Sequence, residues 1–202
     1  MPVGLRGGPV TGETAARRFR RVRGPGENGL TRAGRFASIS AMEIAAMTEQ
    51  YALDIVTWSY PEPYRRYDLT GADPGYFTDP ANGFVALVDD GVLIGYRSFG
   101  PDGRVPGGRY DGSALDTGGG LRPALTGLGR GLGRRAIEAG LAYGQERFDP
   151  DAFRVTVASF NTRARRVVES LGFTRHSTFA AKADGAVYDI LIRPGDHGRD
   201  RG

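Results

Sequence analysis

The chain has 202 residues, 40% apolar and 25% charged, which suits one domain with a single buried core. It has no cysteine and only two histidines, His176 and His197, which excludes disulfides, cysteine-ligated zinc, iron–sulfur clusters and thiol catalysis and leaves no basis for a histidine-rich metal site. Lys182 is the only lysine, so no Walker-type GxxxxGK(S/T) loop can be written, and no apolar run approaches the length of a transmembrane helix.

The net charge of +4 is unevenly spread. Residues 1–36 hold eight arginines and two acids, a charge of +6, so the remainder is mildly acidic at −2. Residues 1–41 read as an Arg/Gly-rich, disordered tail, because such a segment buries too little surface to offset its ordering entropy. The cluster from Arg17 to Arg21 has three readings. A twin-arginine export signal requires an apolar stretch after it, and Val22 to Leu30 is rich in Gly, Pro, Glu and Asn instead. A nucleic-acid arm would use the arginines to neutralise phosphates. A solvated tail, or a start codon placed upstream of Met42 or Met47, needs no partner and is the reading adopted.

The domain is expected over 42–194, with a flexible tail at 195–202. Ala37 to Tyr51 opens it with a short helix. Ile55-Val56-Thr57-Trp58 reads as a strand, being β-branched and aromatic. The prolines at 61 and 63 forbid regular structure around them. Phe84–Val88 and Val92–Phe99 read as a hairpin turning at Asp89-Asp90-Gly91. A long Gly/Pro loop follows, then a glycine-loaded strand over Ala114–Leu121. Leu132 to Phe148 is the clearest helix, with Leu132, Ala136, Gly140 and Tyr143 on one face. Phe153–Ala158 alternates as a strand. Asn161 caps a second helix that Gly172 closes. Val187–Ile192 is the last strand. The order predicts an α/β fold with a mixed, mostly antiparallel sheet flanked by helices.

The most informative segment runs from Leu121 to Arg135. Gly127, Gly129, Gly131 and Gly133 alternate with other residues directly ahead of the strong helix. Glycines bring bare N–H groups close to a ligand, and the helix N-terminus behind them is electropositive. Arg130, Arg134 and Arg135 add full charges. The segment fits a phosphorylated ligand, most naturally a pyrophosphate. Two other readings compete with it: a plain glycine-rich connector, and a dinucleotide turn on the GxGxxA match from Gly131 to Ala136. The dinucleotide turn requires a strongly apolar parallel strand before it, and Thr117-Gly118-Gly119-Gly120 is not one.

On these residues the chain resembles the GNAT superfamily of N-acetyltransferases. The glycine segment is similar to its motif A, an Arg/Gln-x-x-Gly-x-Gly/Ala loop, and Asn161 to Phe173 is similar to its motif B. The likeness spans roughly Met47 to Pro194, and the segments Trp58 to Asp68 and Gly108 to Gly112 resemble a bacterial subgroup of undefined substrate. Two departures stand out. The loop is two residues longer than usual, so that Leu128 or Thr126 falls where the motif has Arg or Gln. Val168 stands where motif B has its tyrosine, often the acid for the departing thiolate.

The resemblance implies a GNAT-like acyl-CoA N-acyltransferase fold and acetyl-CoA as co-substrate, with no metal. Its pantetheine would lie along the strand ending at Leu121, in a splay beside Phe153–Phe160. Its pyrophosphate would sit on the glycine loop, so that Leu121, Arg122, Gly127, Gly129, Arg130, Gly131, Leu132, Gly133, Arg134 and Asn161 are the candidate cofactor-binding residues. Backbone N–H groups would polarise the acetyl carbonyl, and a small-molecule or peptide amine would attack directly once deprotonated. Asp116 is the candidate base, with strand-end capping as its competing role and Asp111 as a weaker candidate. Tyr188 or Ser159 is the candidate acid. Trp58, Tyr60, Tyr64 and Tyr67 are the candidate acceptor wall, with Trp58 also fitting a core role. The implied setting is cytoplasmic, as a homodimer in the manner of many family members, without membrane or nucleic-acid partners. Two functions compete with the acetyltransferase: a non-catalytic acyl-CoA-binding or sensing domain, and a nicotinamide-dependent enzyme.

Overall fold

The computed structural model describes residues 42–196. The Arg/Gly-rich segment expected to be a tail, 1–41, and the chain from 197 onward lie outside the described residues. The elements in chain order are β1 (Glu43–Ala46), α1 (Glu49–Ile55), a 3-10 turn (Tyr64–Tyr67), α2 (Pro74–Thr78), β2 (Phe84–Asp89), β3 (Val92–Phe99), β4 (Leu115–Leu121), α3 (Leu132–Phe148), β5 (Ala152–Ala158), α4 (Thr162–Ser170), β6 (Thr174–Ala180) and β7 (Val187–Pro194). The seven strands form one sheet in the order β1-β2-β3-β4-β5-β7-β6. Every neighbouring pair is antiparallel except β4 and β5. That topology is the mixed, mostly antiparallel sheet the sequence predicts, and it departs from the parallel sheet that a dinucleotide fold requires.

Strand alternation distributes the core over both sheet faces. Ala86, Val88 and Leu93 pack with Ala52, Ile55, Trp58 and Phe77 from the α1 and α2 side. Leu87 and Ile94 point the other way, onto Ala136 of α3. Phe153, Val155 and Leu191 complete that layer with Leu141 of α3 and Val168 of α4. The β2–β3 hairpin turns on Asp90 and Gly91, both with positive φ (51° and 74°), the geometry that a tight hairpin demands.

Three local expectations are corrected. Ile55–Trp58 is not a strand: Ile55 ends α1 and Val56 caps it. The Thr48 hydroxyl accepts from the Tyr51 N–H at 3.2 Å and starts that helix. Ala52 and Ile55, three apart and fully buried, hold it against the sheet, so packing overrides β-propensity. The segment ahead of Tyr51 opens with β1 rather than a helix. Strand β6 was not anticipated, because it is a sheet-edge strand with most of its residues exposed, and the apolar alternation that announces a strand is weak there.

The feature that positions the site is a break in the sheet. β4 and β5 pair at only two points, Leu115 with Phe153 and Asp116 with Arg154. Beyond Asp116 the two strands part, and the edge of β4 that faces β5 has no strand partner among the described residues.

Candidate active site

A cavity of about 750 Å³ opens where β4 and β5 diverge. Thr117 to Leu121 form one wall, Val155 to Val157 the other, and Ala164, Val167 and Val168 of α4 close one side. The loop from Leu125 to Gly131 and the first turn of α3 surround the mouth. Tyr60, Tyr64 and Tyr67 face it from the 3-10 turn and the segment before it. The volume falls within the range of small-ligand sites.

The mouth is strongly electropositive. Gly131 is the N-cap of α3 in the left-handed region (φ 68°), and no side chain caps the helix. The first N–H groups of a 17-residue helix are thus left for another acceptor. Arg130, Arg134, Arg135 and Arg163 all line this end. Arg134 pairs with Glu138 at 2.9 Å and donates to Ser170 Oγ at 2.9 Å. Arg135 lies 3.8 Å from Asp89, which is the one carboxylate on the wall among the described residues. Arg163 stacks 4.7 Å above the Tyr64 ring.

Of the expected cofactor-binding residues, Leu121, Gly127, Gly129, Arg130, Gly131, Leu132, Gly133, Arg134 and Asn161 all meet at this cavity. Arg122 does not. Its guanidinium forms a two-point ion pair with Asp54, donates to Leu93 O at 3.1 Å and lies 5.3 Å above the Trp58 ring. It ties α1 to the sheet. Trp58 is likewise part of that packing: it is 3% exposed, and its indole N–H donates to Asp54 at 3.1 Å. The other three expected acceptor-wall residues, Tyr60, Tyr64 and Tyr67, line the cavity. Tyr60 donates to Leu121 O at 2.8 Å, and burial pushes its phenol well above the ordinary range.

The two expected catalytic groups stand apart from the cavity wall. Asp116 is 2% exposed. Its Oδ1 accepts from Arg154 Nε at 2.5 Å, and its Oδ2 accepts from Arg154 Nη2 at 2.8 Å and from Arg104 Nε at 2.6 Å. Arg154 also donates to Asp111 O at 2.8 Å. With both oxygens bonded to guanidinium groups and the side chain buried, Asp116 sits in a closed ion pair at the point where β4 and β5 part, off the cavity wall. Tyr188 sits on β7, stacked on Phe179 at 5.8 Å, with its hydroxyl 3.5 Å from Arg66 Nη1. Arg66 in turn pairs with Asp184 at 2.8 Å. Tyr188 is not on the cavity wall, although Tyr67, which is, packs against its cluster.

A different tyrosine, Tyr67, lines the cavity. The Tyr67 hydroxyl accepts from Asn161 Nδ2 at 3.3 Å, and burial raises its pKa above the ordinary value of 10.0. Asn161 also caps α4, its Oδ1 accepting from the Ala164 N–H at 3.1 Å. It thereby combines the two roles that the sequence left open, cap and cavity group.

Sequence reasoning missed two cavity arginines. Arg163 falls at a variable position of the Asn161–Phe173 motif, and only its place two residues after the helix-capping Asn161 could have suggested it. Arg97 had a stronger signal: it is the one charged residue in the otherwise uncharged strand β3. It is 6% exposed and lines the cavity. Its Nη2 donates to Thr117 Oγ1 at 2.8 Å, whereas its Nε is sealed in without an acceptor. Burial lowers its pKa to about 10.

Among the described residues no cluster of His, Cys, Asp or Glu could hold a metal, and no helix is long and apolar enough to cross a membrane. The acetyltransferase (GNAT) family model matches residues 47–173. No curated protein matches the chain in sequence. Among solved structures, aminoglycoside acetyltransferase AAC(6′)-Ib with ribostamycin and coenzyme A superposes with a TM-score of 0.62 at 18% identity, over 80% of this chain and 99% of that one. A chimera of spermidine N-acetyltransferase SpeG from Vibrio cholerae and hSSAT gives 0.61 at 15% identity, over 77% and 96%. A ribosomal-protein-S5-alanine acetyltransferase from Vibrio fischeri gives 0.55 at 13% identity, over 79% and 96%. At these identities the likeness is one of fold.

Proposed function

The chain belongs to the acetyltransferase (GNAT) family, and we propose that it transfers an acetyl group from acetyl-CoA to a primary amine by direct attack in a ternary complex. One observation carries the reading. A single cavity joins an unpaired strand edge, bare of side chains at Gly118 to Gly120, to a helix N-terminus ringed by four arginines. The strand edge suits the amides of a pantetheine arm, and the arginines suit a pyrophosphate. The extra length of the glycine loop and its lack of a basic residue at the motif position are compensated by Arg130 and Arg163.

Acetyl-CoA supplies the activated thioester; the chain's own groups do the rest. The N–H groups of β4 past Asp116 polarise the acetyl carbonyl. Tyr60, Tyr64 and Tyr67 offer aromatic faces to the acceptor, a small-molecule or peptide amine. With Asp116 closed in its ion pair and Asp89 at the mouth beside Arg135, water takes the proton of the attacking amine. Tyr67, oriented by Asn161 and kept protonated by burial, is the acid for the departing thiolate in place of Tyr188. Asp116 fixes the angle at which β4 leaves β5.

The testing experiment is calorimetric titration of the full chain with acetyl-CoA, with NADH and ATP as controls, followed by thiol release on an amine panel. Acetyl-CoA binding at micromolar Kd, absent for NADH and ATP, with thiol release on at least one amine, is the expected result. Absence of acetyl-CoA binding overturns the reading. Binding without thiol release on any amine favours an acyl-CoA-sensing domain, the reading to which Val168 at the motif tyrosine position points.

A further inference from the structure

Six charged side chains line the cavity, and five of them, Asp89 and four arginines, gather at its mouth. The sixth, Arg97, lies apart from them, beside the point where β4 and β5 part. Its Nη2 is bonded to Thr117, the first β4 residue past the point where β4 and β5 part. Asp116, one residue earlier on β4, points to the other face of the sheet and is held by Arg154 and Arg104. No carboxylate forms an ion pair with Arg97 among the described residues, and its Nε has no acceptor.

The fold makes room for this side chain at two separate places. A Cβ on Gly119 would come within 2.9 Å of Arg97 Cδ, and one on Gly140, inside α3, within 2.7 Å of its Nε. Gly119 also holds φ +154°, a conformation that side chains disfavour. A methionine or leucine would fill the same channel without desolvating a charge. A buried guanidinium with no carboxylate of its own, facing a ligand cavity, points to a counter-charge that arrives with the ligand.

We propose that Arg97 recognises a carboxylate at the far end of the acyl chain, so that the cavity accepts acyl-CoA thioesters of short dicarboxylic acids as well as acetyl-CoA. The inference rests on the acyl-CoA reading above. With the pyrophosphate at the arginine-ringed mouth, a chain running along β4 brings the acyl end towards Thr117, where β4 and β5 part. Arg97 remains protonated at neutral pH, since its lowered pKa of about 10 is still well above 7. In the transfer the acyl C–S bond breaks as the C–N bond forms. The proton leaving the amine nitrogen is balanced by the one taken up by the thiolate, and the distal carboxylate stays on the acyl chain unchanged.

The test compares thioesters of equal size that differ in charge, titrated calorimetrically into the full chain. Malonyl-CoA is paired with 3-methylbutanoyl-CoA and succinyl-CoA with 4-methylpentanoyl-CoA, because an isopropyl group replaces a carboxylate atom for atom. Acetyl-CoA and free CoA are references. The expected result is at least about tenfold tighter binding of the carboxylated member in one pair, equivalent to about 1.4 kcal/mol. The ratio should fall to about one in Arg97→Met and in Arg97→Gln, the second variant keeping a donor for Thr117. Equal affinities within both pairs in the unmodified chain overturn the inference without recourse to a variant. So does a preference that survives both substitutions, which would assign it to the arginines at the mouth. In either case binding of acetyl-CoA and CoA leaves the acyl-CoA reading standing; if those references fail to bind, that reading falls and the inference with it.

Discussion

Arg154 and Arg97 flank β4 from β5 and β3, and both are nearly sealed from solvent, at 1% and 6% exposure. Their surroundings differ in every other respect. Arg154 grips the Asp116 carboxylate with two nitrogens, donates to Asp111 O and lies 5.1 Å above the Tyr110 ring. The Asp116 hydrogen bonds raise its pKa against the opposing effect of burial. Arg97 has one hydroxyl partner, a sealed Nε without an acceptor, and a pKa lowered by burial. A buried charge whose bonding capacity is met inside the chain fixes geometry. One whose capacity is left open, beside a cavity, is a means of recognition. By this contrast the sequence's candidate base, Asp116, lies in a closed ion pair, and an arginine that the sequence reading passed over faces the cavity.

The sharpest way to break the contrast is to remove the carboxylate of the closed pair. Asp116→Ala leaves Arg154 buried and uncompensated and is expected to lower stability by about 3–5 kcal/mol. Urea unfolding followed by tryptophan fluorescence measures this through Trp58. If Asp116 were a solvent-facing catalytic base, the same substitution would abolish turnover with little loss of stability.

The opposite sign is expected for the open arginine. Arg97→Met removes a charge that has no carboxylate partner and fits a channel shaped for an unbranched chain. It is expected to leave stability unchanged or raise it by about 1 kcal/mol, the hydrogen bond to Thr117 being the only loss. The direction of the pKa shift agrees. A folded-state value lowered to about 10 means that the charged form opposes folding at neutral pH, and that this penalty fades as pH rises through about 10. A loss of several kcal/mol in Arg97→Met would mean that the two arginines are alike.

Much of the fold could be read from the sequence, and the reasons are local. Helix α3 matches the expected Leu132–Phe148 span because its apolar face repeats at helical spacing, and β3 matches Val92–Phe99 because a tight turn fixes its start. The mouth of the cavity was equally legible, since glycines ahead of a helix announce it directly. Trp58 and Arg122 were misplaced because their roles depend on Asp54, which lies 68 residues before Arg122 and meets it only after folding. The ion pair of Asp116 was hidden for the same reason: Arg154 reaches it across the β4–β5 pairing, and no spacing in the chain reveals that register. Tyr67 was visible only as one of four aromatics, until Asn161 at the head of α4 singled it out.

Asn161 gives the smallest expected effect and the finest version of the contrast, because one side chain there holds the two functions that the arginines divide. Its oxygen caps α4 and its nitrogen donates to Tyr67. Asn161→Ala should lower stability by about 1 kcal/mol through loss of the cap. Asn161→Asp keeps a capping oxygen and removes the donor, so stability should hold within about 0.5 kcal/mol. Only the tyrosine's environment then changes. Burial already raises Tyr67 above 10.0, and the bond from Asn161 works against that rise. An aspartate in its place removes the opposing bond and pushes the phenol further up, making it a weaker acid for the thiolate. In the unmodified chain kcat should climb with pH as the acceptor amine deprotonates, with no fall from Tyr67 ionisation below about pH 10. The rising limb should keep its shape in Asn161→Asp, because it belongs to the amine, while the plateau drops several-fold. Tyr67→Phe should drop it at least as far. A plateau unmoved by either substitution would remove Tyr67 from the acid role and leave thiolate departure to solvent.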